Sequence, residues 1–205
     1  MTTRSAAEAM PAFDHVGIST LEKGGQAVTR SASTELVREL DDLQYDLREG
    51  PCVESLAGDD VVSAPHVARD ERYPVYAPRA VTRGLRSQLG VRLHLADEGT
   101  VGGLNLYSTT RDEVPEQDVV IARFFATHAA LALGRALHVE SLTEAVATRQ
   151  VIGQAIGLLM QQYTIDEKAA HAFLWRASSH NNVKVRDIAA SLVSDANDRA
   201  ARTRS

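Results

Sequence analysis

The chain has 205 residues, 44% of them hydrophobic and 24% charged, with a net charge of −5. These proportions exclude a disordered or collagen-like chain and suit a globular protein of one large domain or two small ones. Aromatic residues are only 5% of the total, so the core must rest on Leu, Val, Ile and Ala.

Residues 1–12, with small side chains and Pro11, read as a short, poorly ordered lead without the apolar stretch of an export signal. His15–Ser19 and Gln26–Thr29 read as strands around the turn signal Glu22-Lys23-Gly24-Gly25. Thr34–Tyr45 is amphipathic, with Leu36, Leu40 and Leu43 at helical spacing and Val37 and Asp41 beside them. Gly50-Pro51 ends that segment, and Pro51 can open a short helix that stops near Gly58. The single cysteine, Cys52, excludes an intramolecular disulfide and fits a reducing cytoplasm. Between Pro51 and Val53 it reads first as a small buried hydrophobe.

Val61–Ser63 is a short apolar run, residues 64–74 form a polar loop, and Pro74–Gly84 a helix. Leu89, Val91, Leu93 and Leu95 alternate with Gly90, Arg92 and His94, the period of a half-buried strand. Asp97-Glu98-Gly99 turns the chain into a partner strand, Val101–Tyr107, whose Gly102-Gly103 pair permits close backbone approach or a bulge.

From Pro115 the pattern is helical. Val119–Met160 holds no proline, which points to a coiled coil or a connector between domains. Ile152, Ile156, Leu159 and Tyr163 keep the spacing of a packing seam, so this helix is expected to pack on the sheet and then pair with a twin. No uninterrupted run of about 18 apolar residues occurs, so no membrane span is expected. Thr164 reads as an N-cap with Glu167 completing a capping box. Ala169, Ala172, Phe173 and Ala177 would face inward. Ser179–Asn182 is a turn, Lys184–Asn197 a final helix, and Arg199–Ser205 a frayed basic tail. Residues 135–205 hold nine Lys/Arg against seven Asp/Glu, and residues 1–134 hold thirteen against twenty. The last third is mildly basic on an acidic body.

The stretch Arg149–Met160 (RQVIGQAIGLLM), followed by Leu174–Ala189 (LWRASSHNNVKVRDIA), resembles ANTAR domains over roughly residues 140–195. Leu43–Cys52 (LQYDLREGPC), Arg69–Pro74 (RDERYP) and Gly103–Ser108 (GLNLYS) resemble the GAF domains of actinobacterial regulators over residues 13–134. The fold implied is α+β: an antiparallel GAF-like sheet flanked by helices, a long connecting helix, and a three-helix ANTAR bundle. The expected layout is a lead at 1–12, a sensor domain at 13–134, a helical linker at 135–148, an RNA-binding domain at 149–197 and a tail at 198–205. The chain departs from the ANTAR pattern at Ile156, where Lys is expected, at His171, where an aromatic is usual, and at Trp175, a position often basic. His66 stands where the GAF pattern leads one to expect an acid.

The resemblance implies a dimeric regulator that binds paired RNA stem-loops and favours antitermination, under control of the sensor half. Looped-out nucleotides are read by small polar side chains and by Arg or Lys reaching phosphates and base edges. Arg149, Gln154, Arg176, Ser178, Asn182, Lys184 and Arg186 are the candidate RNA-binding set. A small ligand or partner protein at the GAF domain would supply the signal, and a homodimer would form through the long helix around 117–163. His66, Asp70 and Glu71 tempt an acid–base reading, but no nucleophile–base pair or metal-ligand spacing accompanies them, so no catalytic activity, metal or membrane partner is expected. The rival readings are a helix-turn-helix DNA-binding regulator and a redox sensor built on Cys52.

Overall fold

The computed structural model describes residues 9–22 and 24–203 of the chain. Five strands run β1 (His15–Leu21), β2 (Ala27–Ala32), β3 (Val61–Ala64), β4 (Ser87–Leu95) and β5 (Gly99–Ser108). They form one sheet in the order β2-β1-β5-β4-β3, with every pairing antiparallel. The helices are α1 (Glu35–Leu47), α2 (Pro51–Ala57), α3 (Tyr76–Val81), α4 (Glu116–Tyr163), α5 (Glu167–Asn181) and α6 (Val185–Thr203), with a 3-10 turn at Val67–Arg69. The chain divides into two compact units, residues 1–136 and 137–205.

In the first unit the two predicted hairpins form, β1–β2 and β4–β5. The expected alternation in β4 appears only at its far end. Val91 and Leu93 are buried and His94 is exposed, but Ser87 through Gly90 are all buried. A sheet covered on both faces has no solvent side to show as a polar alternation. Gly90 faces α2, where a Cβ would lie 2.6 Å from the Pro51 carbonyl oxygen. Gly102 allows the close approach expected of it, since a Cβ there would meet the Ser19 carbonyl oxygen at 1.9 Å. On the opposite face Val16, Leu89, Val91, Leu104 and Leu106 are buried. The α4 residues Ala122, Ala126, Ala129 and Ala130 are buried too, and Gly134 seats against Leu95.

Two expectations for this unit are corrected. The inward stripe of α1 centres on Val37, Leu40, Asp41 and Gln44, with the expected Leu36 and Leu43 half-buried at its edge against the same core. The helix is rotated by about one residue because two polar side chains lie in the stripe, and an apolar periodicity cannot register them. Met10, Ala12 and Phe13 are buried, and the Ala12 N–H donates to Asp118 at 3.4 Å, so the end of the supposed lead is core. Residues 1–8 of that lead lie outside the described residues.

In the second unit, Ala155, Ile156 and Leu159 of α4 pack on Ala170 and Leu174 of α5 and Ala189 of α6. Ile152, Ile165, Ile188 and Leu192 fringe that core. The Ile152–Leu159 seam is therefore taken up inside the unit, and Tyr163 is 53% exposed. The inward stripe of α5 is Ala170 and Leu174, whereas Phe173, expected inside, is 41% exposed. Thr164 is not the N-cap. It leaves α4 at φ 49°, and Asp166 caps α5 by accepting from the Ala169 N–H at 2.7 Å. A carboxylate beside a helix N-terminus also meets the positive end of the helix dipole, which a threonine hydroxyl does not. The expected turn at Ser179–Asn182 narrows to Asn182, in left-handed backbone after the last helical residue. The supposed frayed tail is helical as far as Thr203.

By length and composition alone α4 can cross a bilayer, its most apolar window having a mean hydropathy of 1.3. Core helices of water-soluble domains pass the same test, although only 28% of this window is buried.

Gly90→Ala should lower the stability of the first unit by about 1–3 kcal/mol, because the obstacle is backbone and cannot rotate away. A urea midpoint equal to that of the parent would show that α2 is free to shift.

Candidate functional site

A carboxylate sits at the centre of the first unit. Asp41, on α1, has no solvent exposure. It accepts from the Thr29 hydroxyl at 2.6 Å, from the Asn105 amide at 2.8 Å and from the Tyr107 hydroxyl. One turn on, Gln44 donates to the Tyr107 oxygen at 3.0 Å, while its carbonyl accepts from the Cys52 N–H at 3.0 Å and from Gln88 at 2.9 Å. Gln88 in turn accepts from the Tyr76 hydroxyl at 2.6 Å. One chain of hydrogen bonds thus ties α1, α2, α3, β4 and β5 together. Among the described residues the Asn105 Oδ1 is buried without a partner.

The segment Leu43–Cys52 has a local logic within this network. Arg48 ends α1 in left-handed backbone, and Gly50 at φ 127° lies where a Cβ would overlap the Gln44 side chain. Pro51 then starts α2, and the Glu49 carboxylate reaches across to accept from the Val75 and Tyr76 N–H groups at 2.8 and 2.5 Å. Charge-assisted capping of this sort satisfies donors that a helix start leaves open.

Burial pushes the Asp41 carboxyl up to about 6, outweighing the three hydrogen bonds that pull it down. Burial pushes the Cys52 thiol up to about 12. Its sulfur lies 3.6 Å from the Tyr45 hydroxyl, with no solvent exposure. Thiolate is the reactive form, so a Cys52 redox sensor loses its chemical basis. In the His66–Arg72 loop Asp70 is held by Arg72, which forks on it at 2.7 and 2.9 Å and also faces Glu54 at 4.0 Å. Beside the β1–β2 hairpin, a cavity of about 740 Å³ is lined by Gln26, Tyr45, Asp46 and Arg48 among others.

In the second unit the seven candidate RNA-binding residues separate into two groups. Arg149, Gln154, Arg176 and Lys184 are exposed. Ser178 and Asn182 build the α5–α6 turn: the Ser178 hydroxyl donates to the Val183 carbonyl at 2.6 Å, and Asn182 adopts the left-handed cap. Arg186 is paired with Glu144 and, at 3.4 Å, with Asp187. Arg149 and Gln154 are five residues apart on α4 and so point about 140° apart. Arg176 shares a shallow cavity with Trp175, Ser179 and His180. From Lys168 to Arg186 the sequence holds four Lys/Arg and no Asp or Glu. Trp175, its ring stacked on His171 with centroids 4.7 Å apart, is a surface residue that the candidate set omits. Its aromatic character is visible in sequence, but its exposure is not.

A GAF domain model matches residues 2–134, and an ANTAR domain model matches residues 140–193. The chain belongs to the GAF family and carries an ANTAR domain. No curated protein matches it. Among solved structures, a type II free methionine-R-sulfoxide reductase from Thermoplasma acidophilum is similar at 19% identity and a TM-score of 0.53, covering 65% of this chain and 87% of its own. The GAF domain of an Acinetobacter phosphoenolpyruvate-protein phosphotransferase is similar at 15% identity and 0.51, covering 68% and 81%. A Synechocystis GAF domain in its photoproduct state gives 13% and 0.53, covering 68% and 93%. At these identities the likeness is one of fold.

GAF and ANTAR domains are regulatory modules. Among the described residues no group of three or more His, Cys, Asp or Glu could hold a metal ion. The ANTAR departures have different weights. Ile156 is buried in the bundle, so the Lys expected there could not keep its charge in water without leaving that core. His171 and Trp175 are exposed and change the chemistry of the surface.

The Asp41 carboxyl gives the GAF domain a definite pH dependence. Below about 3.8, the ordinary value, both folded and unfolded chains are protonated there. Between 3.8 and about 6 the unfolded chain ionises first, so folding loses stability as pH rises. The loss, complete above about 6, is at most about 3 kcal/mol. Asp41→Asn should flatten that part of the stability profile in urea titrations from pH 4 to 7; an unchanged slope would place the proton elsewhere. In the native protein, Cys52 should react with a thiol reagent far more slowly than in denaturant, and equal rates would contradict its burial.

Proposed function

We propose that this chain is a cytoplasmic, signal-responsive RNA-binding regulator whose ANTAR domain grips paired stem-loops of nascent transcripts and thereby controls termination. The observation that carries this reading is the acid-free run from Lys168 to Arg186, with Arg176 and Lys184 exposed and unpaired among the described residues. Phosphate neutralisation dominates nucleic-acid affinity, so local charge outweighs the net −5 of the whole chain. The GAF domain acts as the sensor, taking a small ligand or a partner protein.

The active form is a homodimer through α4. Val120, Phe124 and Leu131 in one unit, and Val139, Leu142 and Val146 in the other, are large apolar residues of α4 left 55–65% exposed. Their separations of four, seven, eight, three and four residues approximate a coiled-coil seam. Two linked RNA sites of modest strength gain avidity through effective concentration, so a change in α4 pairing suffices as a switch.

The test is selection by the full chain from two pools at equal salt: paired RNA hairpins with randomised loops, and duplex DNA of matched length. Enrichment of hairpins supports the reading; enrichment of duplex DNA favours the helix-turn-helix alternative. With a selected hairpin, Arg176→Ala and Lys184→Ala should each lower affinity and reduce the slope of log affinity against log salt by about 0.7. Arg186→Ala should change the slope less, because its charge is already met by Glu144 and Asp187. Equal slopes for all three variants would remove the distinction.

A further inference from the structure

Trp175 is difficult to explain as packing. The core of the ANTAR domain is complete without it: Leu174 and Ala170 are the inward residues of α5, and Trp175 lies one residue on, about 100° round the helix. The indole is 47% exposed. Aromatic surface left in water is unfavourable, and tryptophan, with a flat apolar body and a polar N–H, is enriched at contact surfaces.

Its surroundings state what kind of contact. The ring is stacked on His171, one turn earlier, at 25° between planes. It also borders a shallow cavity of about 600 Å³ with Arg176, Ser179 and His180. The cavity lining contains donors and a cation but no carboxylate. Lys168 stands seven residues before Trp175, on the same side of α5. A flat π surface, backed by a second ring and edged by positive charge and hydrogen-bond donors, fits a flat, hydrogen-bonding, polyanion-borne ring. A second copy of this chain or an apolar peptide would gain from the indole but would strand Arg176 against it.

Resting on the RNA reading above, we propose that Trp175, backed by His171, is the stacking platform for one unpaired nucleobase of the bound RNA loop, with Arg176 taking the adjoining phosphate. Base–aromatic stacking supplies affinity with little sequence preference, because every base has a π face. The loop nucleotide at this position is then chosen by fit to Ser179 and His180, whose side chains can read a base edge.

Trp175 is the only tryptophan in the chain, so its emission reports this site alone. The full chain is titrated with the hairpin selected above, with binding followed separately by anisotropy of labelled RNA. Emission should be quenched in step with binding. Trp175→Ala should weaken binding about tenfold, while Trp175→Phe recovers most of it. Replacing the stacked loop nucleotide by an abasic one should cost the parent about tenfold and the Trp175→Ala variant almost nothing. Trp175→Ala binding with parental affinity overturns the platform and leaves the RNA reading standing. Failure of the parent to enrich any hairpin overturns both. An emission change that follows protein concentration without RNA makes the indole a self-association contact and also overturns the platform. Unchanged helical content of Trp175→Ala by circular dichroism separates lost contact from lost folding.

Discussion

An α-helix satisfies its own backbone hydrogen bonds whatever lies beside it, and this allows α4 to leave one hydrophobic core and enter another without a break. Over its 48 residues only the side chains change. Near its start the small side chains Ala122, Ala126, Ala129 and Ala130 are buried in the GAF domain. Near its end Ala155, Ile156 and Leu159 join α5 and α6. A β-strand could not make this passage, because each domain would have to supply it with hydrogen-bonding neighbours. A single element therefore belongs to both the sensor and the effector.

The sensor core is polar where a simple hydrophobic account would make it apolar. Asp41, Gln44, Gln88, Asn105, Tyr76 and Tyr107 are hydrogen-bonded to one another across four elements. A buried carboxylate is costly, and three donors offset that cost only in part, as its raised proton affinity records. Such a network holds helices to a sheet in one register, since a shift by one residue would strand several polar atoms at once. It also fills with side chains the space between α1 and the sheet. The open cavity beside the β1–β2 hairpin lies elsewhere, against the outer ends of α1 and α2.

In the effector domain electrostatics is a matter of placement. The chain is acidic as a whole, and two of the candidate RNA-binding residues serve the α5–α6 turn while Arg186 is neutralised by Glu144 and Asp187. Open on α5 and the turn are Lys168, Arg176 and Lys184, together with the aromatic pair His171–Trp175. From Lys168 to Arg186 the local charge is set by the absence of acids as much as by the number of bases.

Composition and pattern alone determined the large divisions: two antiparallel hairpins, a proline-free helix too long for one domain, and two closing helices. Motif resemblance named both domains. These features are local, written in turn residues, in period and in short motifs. Tertiary structure decided which side chains face inward. The α1 stripe turned to Asp41 and Gln44, the α5 stripe to Ala170 and Leu174, and the cap moved from Thr164 to Asp166. The reason is physical. Periodicity reports where apolar residues recur, but a carboxylate becomes a core residue only when Thr29 of β2 and Asn105 and Tyr107 of β5 converge on it. Likewise, an indole becomes a surface only when its neighbour Leu174 has already filled the core.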